Sequence, residues 1–271
     1  MILRIKDAGQ EAAPLFVTEA VMNKQLALIR DYQKKPALRY KDRVFVVEGI
    51  RAYREIPKER IRTTYVSASF AGANEVPEGA VIVDDRDFER ISDTKTPQGI
   101  LALVKMENTD PEEIIRTDKG LILLLEDLQD PGNLGTMVRT AEACSVSGII
   151  MNRNCVDIYN PKVVRATMGS LFRVKTAVTD DLPAVVKAIQ NSGGAVYAAS
   201  LEDSVLYDSP DYTKKTAFLI GNEGNGLSKE ICDLSDTRIH IPMGGKVESL
   251  NAGIAAAVLL FEAARQRRKE G

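Results

Sequence analysis

The chain has 271 residues, 44% of them hydrophobic and 27% charged, with a formal net charge of −2. That mixture is globular, and the length favours two domains or one large one. The apolar run at 252–261 is well short of the roughly 20 residues a membrane helix needs, and the first seven residues lack the layout of a secretory signal, so no membrane partner and a cytoplasmic location are expected. Cys144, Cys155 and Cys232 are widely spaced with no CxxC, and His240 is the single histidine. No metal is expected, the thiols read as reduced, and a Ser-His-Asp triad would have to be built around that one imidazole.

Residues 18–32 carry Val21, Met22, Leu26, Leu28 and Ile29 at helical spacing, and 44–47, 64–66, 80–83 and 100–104 are short β-rich runs bounded by turn residues. Residues 1–106 therefore read as a compact α/β domain. Within it, residues 24–62 hold twelve basic side chains against five acidic ones, a local +7. Such a run is either a solvated face or an RNA-facing patch, and on the second reading Lys34, Lys35 and Arg39 are the candidate contacts. The polar stretch that opens at Glu107 makes 107–118 the expected linker.

From residue 119 to 271 the units lengthen. The run 121–125 is continuously apolar, as in a strand buried on both faces of a parallel sheet. Further strands are expected at 148–151, 195–199, 217–220 and 238–241, with helices near 134–145, 161–169, 181–192, 228–234 and 249–268. Alternation of this kind implies an open parallel α/β sheet whose ligand crevice lies at the carboxyl ends of the strands.

Three segments fall at that end. The first, Asp130-Pro131-Gly132-Asn133-Leu134-Gly135 with Arg139, opens a helix with Leu134, Met137, Val138 and Ala141 as its buried stripe. Asn133 is its expected N-cap, and Arg139 lies off the stripe, where the residues alone read as an exposed ion pair with Glu142 one turn on. The second, Gly221-Asn222-Glu223-Gly224-Asn225-Gly226, has three glycines in six residues, which lets backbone approach a ligand closely. Its order is not the G-x-G-x-x-G of dinucleotide-binding dehydrogenases. The third runs from Ile241-Pro242-Met243 to Glu248-Ser249-Leu250-Asn251, where Ser249 or Asn251 can cap a helix apolar nearly all round.

In order and spacing these segments resemble the signature motifs of the SpoU (TrmH-type) branch of the SPOUT RNA methyltransferases. The resemblance implies transfer of a methyl group from S-adenosylmethionine to a ribose 2'-hydroxyl of RNA, ribosomal RNA being favoured. A tRNA 2'-O-methyltransferase and a non-catalytic RNA-binding protein that keeps the fold are the alternatives. It also implies a parallel-sheet domain with a deep trefoil knot, a homodimer, and a small α/β N-terminal module like ribosomal protein L30e. Carried onto this sequence, Asn133, Arg139, Glu223, Ser249 and Asn251 are catalytic candidates. Leu219, Ile220, Gly221, Asn222, Gly224, Ile241, Met243, Ser249 and Leu250 are expected to hold the cofactor. Arg165, in a matching segment at 160–170, joins the RNA contacts.

Overall fold

A computed structural model describes residues 19–107 and 109–270. They form two compact units, one reaching to Glu107 and including Tyr159–Phe172, the other made of residues 109–158 and 173–270.

The first unit begins with α1 (Glu19–Lys34), α2 (Pro36–Asp42), β1 (Val44–Glu48) and α3 (Ile50–Arg54). It continues with β2 (Ile61–Ser67), α4 (Ala68–Ala73), β3 (Val81–Val83), α5 (Asp85–Ile91) and β4 (Ile100–Lys105). The strands lie in the order β1-β4-β2-β3. β4 runs antiparallel to β1 and β2, and β3 runs parallel to β2. Met22, Leu26 and Ile29, spaced along one face of α1, pack with Val44, Val46, Tyr65, Phe88, Leu101 and Leu103. Leu28 falls off that face and is exposed.

Arg39, read from the sequence as an RNA contact, is 1% exposed. Its guanidinium donates to the carbonyls of Tyr32 at 2.6 Å and Gln33 at 3.2 Å, which occupy the last turn of α1. Those carbonyls have no helical partner, and α2 folds back to supply one. Arg39 is a C-cap of the preceding helix and not a surface cation.

The second unit opens with α6 (Pro111–Ile115), followed by β5 (Leu121–Leu125), α7 (Pro131–Ala143) and β6 (Gly148–Asn152). The stretch expected as a linker thus contains a capped helix whose Ile114 and Ile115 are buried in the core of this unit. The chain then contributes α8 (Pro161–Ala166) to the first unit, with the Tyr159 ring 4.6 Å from that of Phe45. It returns with β7 (Thr176–Thr179), α9 (Leu182–Asn191), β8 (Ala195–Ala199), β9 (Val205–Leu206), β10 (Thr216–Ile220), α10 (Lys229–Leu234), β11 (Thr237–His240) and α11 (Ala252–Glu270).

These strands make a seven-stranded sheet, β7-β6-β5-β10-β8-β11-β9, with every pairing parallel. One face packs on α6, α9 and α10 through Ile122, Leu124, Val196, Ala198, Ala217 and Leu219. Alternation puts the intervening residues on the opposite face, where α11 lies against α7 and β10. The two central strands, β5 and β10, are buried at all five positions, as a run covered on both faces must be. β7 and β9 were not anticipated: they are sheet-edge strands of four and two residues, too short and too exposed to leave an apolar signal.

Candidate active site

The three sequence segments leave the carboxyl ends of β5, β10 and β11, and β5 and β10 are direct neighbours. Their loops meet at one edge of the sheet.

α7 starts earlier than expected. Asp130 is its N-cap, accepting from the Asn133 N–H at 2.8 Å, and Pro131 takes the first helical position. Asn133 therefore sits inside the first turn, where it is 7% exposed and its side chain is free for another task. Its Nδ2 donates to Glu223 Oε1 at 3.0 Å, and its Oδ1 accepts from Asn251 Nδ2 at 2.8 Å. Asn251 in turn caps α11, its Oδ1 accepting from the Ile254 N–H at 3.2 Å. One buried amide thus ties all three segments together.

Glu223 completes the arrangement. Its Oε1 also accepts from the Asp130 N–H at 2.9 Å, and its Oε2 from the Gln129 N–H at 3.0 Å. A carboxylate at the start of α7 meets the positive end of the helix dipole. Burial raises the Glu223 carboxyl pKa, but the hydrogen bonds from Asn133 and from the Gln129 and Asp130 N–H groups outweigh it and hold it below the usual carboxylate range. It is a fixed anion and a poor proton acceptor.

The loop that carries Glu223 is folded tightly on itself. Asn222 and Gly226 exchange backbone hydrogen bonds at 3.0 and 2.9 Å, and Asn222 Oδ1 accepts from the Gly224 and Asn225 N–H groups. A Cβ on Gly221 would lie 2.2 Å from the Gly226 carbonyl carbon, so only glycine admits this crossing of backbones.

Beside this network opens a cleft of about 740 Å³, within the range of small-molecule sites. Ile220, Gly221, Asn222, Gly224, Ile241, Met243, Ser249 and Leu250 line it, together with Glu223 and Asn251. Leu219 does not: it is fully buried in the core under α9 and α10, because alternation along β10 turns it away from the edge. Lining residues that the sequence did not assign to the site are Ser200, Leu201 and Glu202 after β8, and Lys229, Cys232, Arg238 and His240. The only signal for the first three was their place directly after a readable strand. His240 Nδ1 lies 2.9 Å from Ser204 Oγ, a structural contact at the rim.

Arg139 stands apart. It is exposed, outside the cleft lining, and among the described residues has no hydrogen bond or ion pair. The alternative pairing with Glu142 is not formed, since Arg173 takes that carboxylate. Lys34 is exposed, Lys35 pairs with Asp31 at 2.9 Å, and Arg165 pairs with Asp93 at 2.8 Å. The three cysteines are free, Cys144 and Cys232 being buried. Burial pushes the half-buried Cys155 thiol up to about 11, which leaves it unreactive. Among the described residues no cluster of His, Cys, Asp or Glu can hold a metal ion, and no helix is long and apolar enough to cross a membrane.

Residues 120–261 match the model of the SpoU rRNA Methylase family, and residues 10–102 that of an MRM3-like substrate binding domain. The Bacillus subtilis 23S rRNA (guanosine(2553)-2'-O)-methyltransferase RlmP is 34% identical over 174 residues, which cover 64% of this chain and 68% of that protein. Two solved structures are similar over nearly the whole chain. The AdoMet-bound rRNA methyltransferase from Sinorhizobium meliloti superposes with a TM-score of 0.78 at 30% identity, covering 92% of this chain and 97% of the other. The SpoU methyltransferase AviRb from Streptomyces viridochromogenes, in complex with AdoMet, gives 0.79 at 26% identity, with 90% and 98% covered.

Proposed function

We propose, since this chain belongs to the SpoU rRNA methylase family, that it transfers the methyl group of S-adenosylmethionine to a ribose 2'-hydroxyl of ribosomal RNA. The observation that carries this reading is the network Glu223–Asn133–Asn251 bordering a nucleoside-sized cleft at the ends of β10, β8 and β11. The cleft fits that cofactor: Ile241, Met243 and Leu250 offer half-buried apolar contact for a base, and the turn at Gly221 brings bare backbone to the rim. When bound, the cofactor supplies an electrophilic methyl on sulfur.

The protein's contribution is then to hold the ribose oxygen in line and assist the loss of one proton, work that positioning can largely supply. We assign Arg139 to a phosphate beside the target ribose, where a guanidinium makes planar, bidentate contact. Arginine is a poor base, with a pKa above roughly 12, and Glu223 is held as an anion by its three donors. We therefore give both an orienting role and assign Ser249 and Asn251 to the reacting end of the cleft.

A homodimer belongs to this reading. Two observations support it: Arg139 does not line the cleft of its own chain, and α11 leaves Ile254 and Phe261, two turns apart, 49% and 48% exposed. Burying that stripe against a second copy would satisfy both. The trefoil knot enters this reading through membership of the family alone. Lys34, Lys35 and Arg165 remain the proposed RNA contacts, and a cytoplasmic location is part of the same proposal.

Calorimetry with S-adenosylmethionine, followed by turnover on ribosomal and transfer RNA, tests the proposal. Micromolar cofactor binding with labelled methyl in ribosomal RNA is expected. Binding to RNA without cofactor binding would instead favour the non-catalytic reading.

A further inference from the structure

We infer that Asp127 is a positioning residue for the proposed methyl transfer: it holds the loops after β6, β5 and β10 in a single arrangement and thereby fixes where Glu223 and Asn133 stand. The inference rests on the ribose-methylation reading for its consequence, though not for its geometry.

Asp127 lies two residues past β5 with φ +53°, a left-handed conformation in which Asp and Asn are the most frequent residues after glycine. In that conformation its groups reach in opposite directions. Towards the loop after β6, Oδ1 accepts from Asn152 Nδ2 at 2.5 Å and Asn154 Nδ2 at 3.1 Å, and the Asp127 N–H donates to Asn152 Oδ1 at 3.0 Å. Towards the loop after β10, its carbonyl accepts from Asn222 Nδ2 at 2.9 Å and also from Gln129 Nε2 at 3.0 Å.

Both outer partners lead to the catalytic network. Asn222 gathers the Gly224 and Asn225 N–H groups and immediately precedes Glu223. Gln129 donates its own N–H to Glu223 and its side-chain amide to the Asn154 carbonyl at 2.8 Å. Asp127, Asn152 and Asn154 are all absent from the cleft lining, so none touches the cofactor and each acts through others. Because β6, β5 and β10 are adjacent, this one residue bridges three neighbouring strand ends.

The side-chain bonds both end on the same oxygen, which makes the claim separable from charge and from backbone strain. Asp127→Asn keeps an acceptor oxygen and tolerates the left-handed conformation. Asp127→Gly keeps the backbone and loses the acceptor. Turnover with S-adenosylmethionine and ribosomal RNA is expected to stay within about twofold for Asp127→Asn. For Asp127→Gly kcat should fall about tenfold or more with little change in the KM for RNA, as slight misplacement of reacting groups does.

A second readout needs no turnover. Hydrogen exchange at the Gly224 and Asn225 amides should accelerate in Asp127→Gly and stay as in the parent protein in Asp127→Asn. Should Asp127→Gly fail to fold, Asn152→Ala removes the shorter of the two side-chain bonds from the other side, together with the acceptor for the Asp127 N–H, and leaves the Asn154 bond; exchange and kcat are expected to move in the same direction. Unchanged exchange and kcat in Asp127→Gly, or in Asn152→Ala where it stands in, or equal damage in Asp127→Asn, would overturn the inference. Absence of methyl transfer by the parent protein would sink the proposed reaction instead and leave the exchange result to judge Asp127.

Discussion

Asn133 Nδ2 and Glu223 Oε1 are hydrogen-bonded at 3.0 Å across 90 residues of sequence, and the same carboxylate accepts from the N–H groups of Gln129 and Asp130. The start of α7 and the glycine loop after β10 are therefore a single unit fastened by one anion. Its fastening is also pH-dependent.

The Glu223 carboxyl has a lowered pKa in the folded protein, burial being outweighed by the donors around it. A lowered pKa means stabilisation that is fully present above the unfolded glutamate value, about 4.3, and is lost as the pH falls through the lower folded value. Thermal melting from pH 7 to pH 3 should show the parent protein losing an acid-side increment that Glu223→Gln lacks throughout. Parallel melting curves for the two proteins would remove Glu223 from this role.

Arg139→Ala is expected to abolish methyl transfer while S-adenosylmethionine affinity stays within about threefold, or roughly 0.6 kcal/mol, since Arg139 is outside the cleft. Arg139→Lys should recover little, because a point charge does not replace a planar fork. If Arg139 serves the cleft of a second copy, mixed dimers of Arg139→Ala with a cofactor-site variant should regain part of the activity. Substantial turnover by Arg139→Ala alone would end the assignment.

Gly221 and Gly224 should respond oppositely to alanine. The added Cβ at Gly221 meets the Gly226 backbone at 2.2 Å, whereas at Gly224 its nearest neighbour is Asn222 Oδ1 at 3.5 Å. Overpacking of the first kind costs about 1–3 kcal/mol, so Gly221→Ala should weaken cofactor binding about tenfold or more by calorimetry, with Gly224→Ala near the parent value. Equal affinities would show that the loop yields.

The cations of the first unit separate in the same manner. Charge reversal at Lys34 and Lys35 should lower RNA affinity and flatten its salt dependence by about one unit of slope for each phosphate no longer neutralised, leaving the melting temperature in place. Arg39→Glu should instead lower stability, since two α1 carbonyls lose their donor. An unchanged salt slope after reversal at Lys34 and Lys35 would return that face to solvent.

Much of the larger domain was legible because its central strands are covered on both faces: the runs at 121–125 and 195–199 coincide with β5 and β8. The start of α7 was legible too, in Asp130-Pro131, but Asn133 drew the cap assignment, whereas the fold needs its amide for Glu223 and Asn251. Charge counting marked Arg39 correctly as basic and could not see that α2 turns it onto the end of α1. The 221–226 segment announced itself through glycine, while Asn152 and Asn154 carry no such signal. Their role follows from strand order, which puts β6 beside β5, and order across a sheet is not written in local sequence.

Ribose 2'-O-methylation mapped across total RNA from cells with and without this protein tests the proposed reaction at its product. One or a few ribosomal RNA positions should lose their 2'-O-methyl group in its absence and regain it with the parent protein but not with Arg139→Ala. An identical map in both cells, or loss confined to a base methylation, would overturn the assignment.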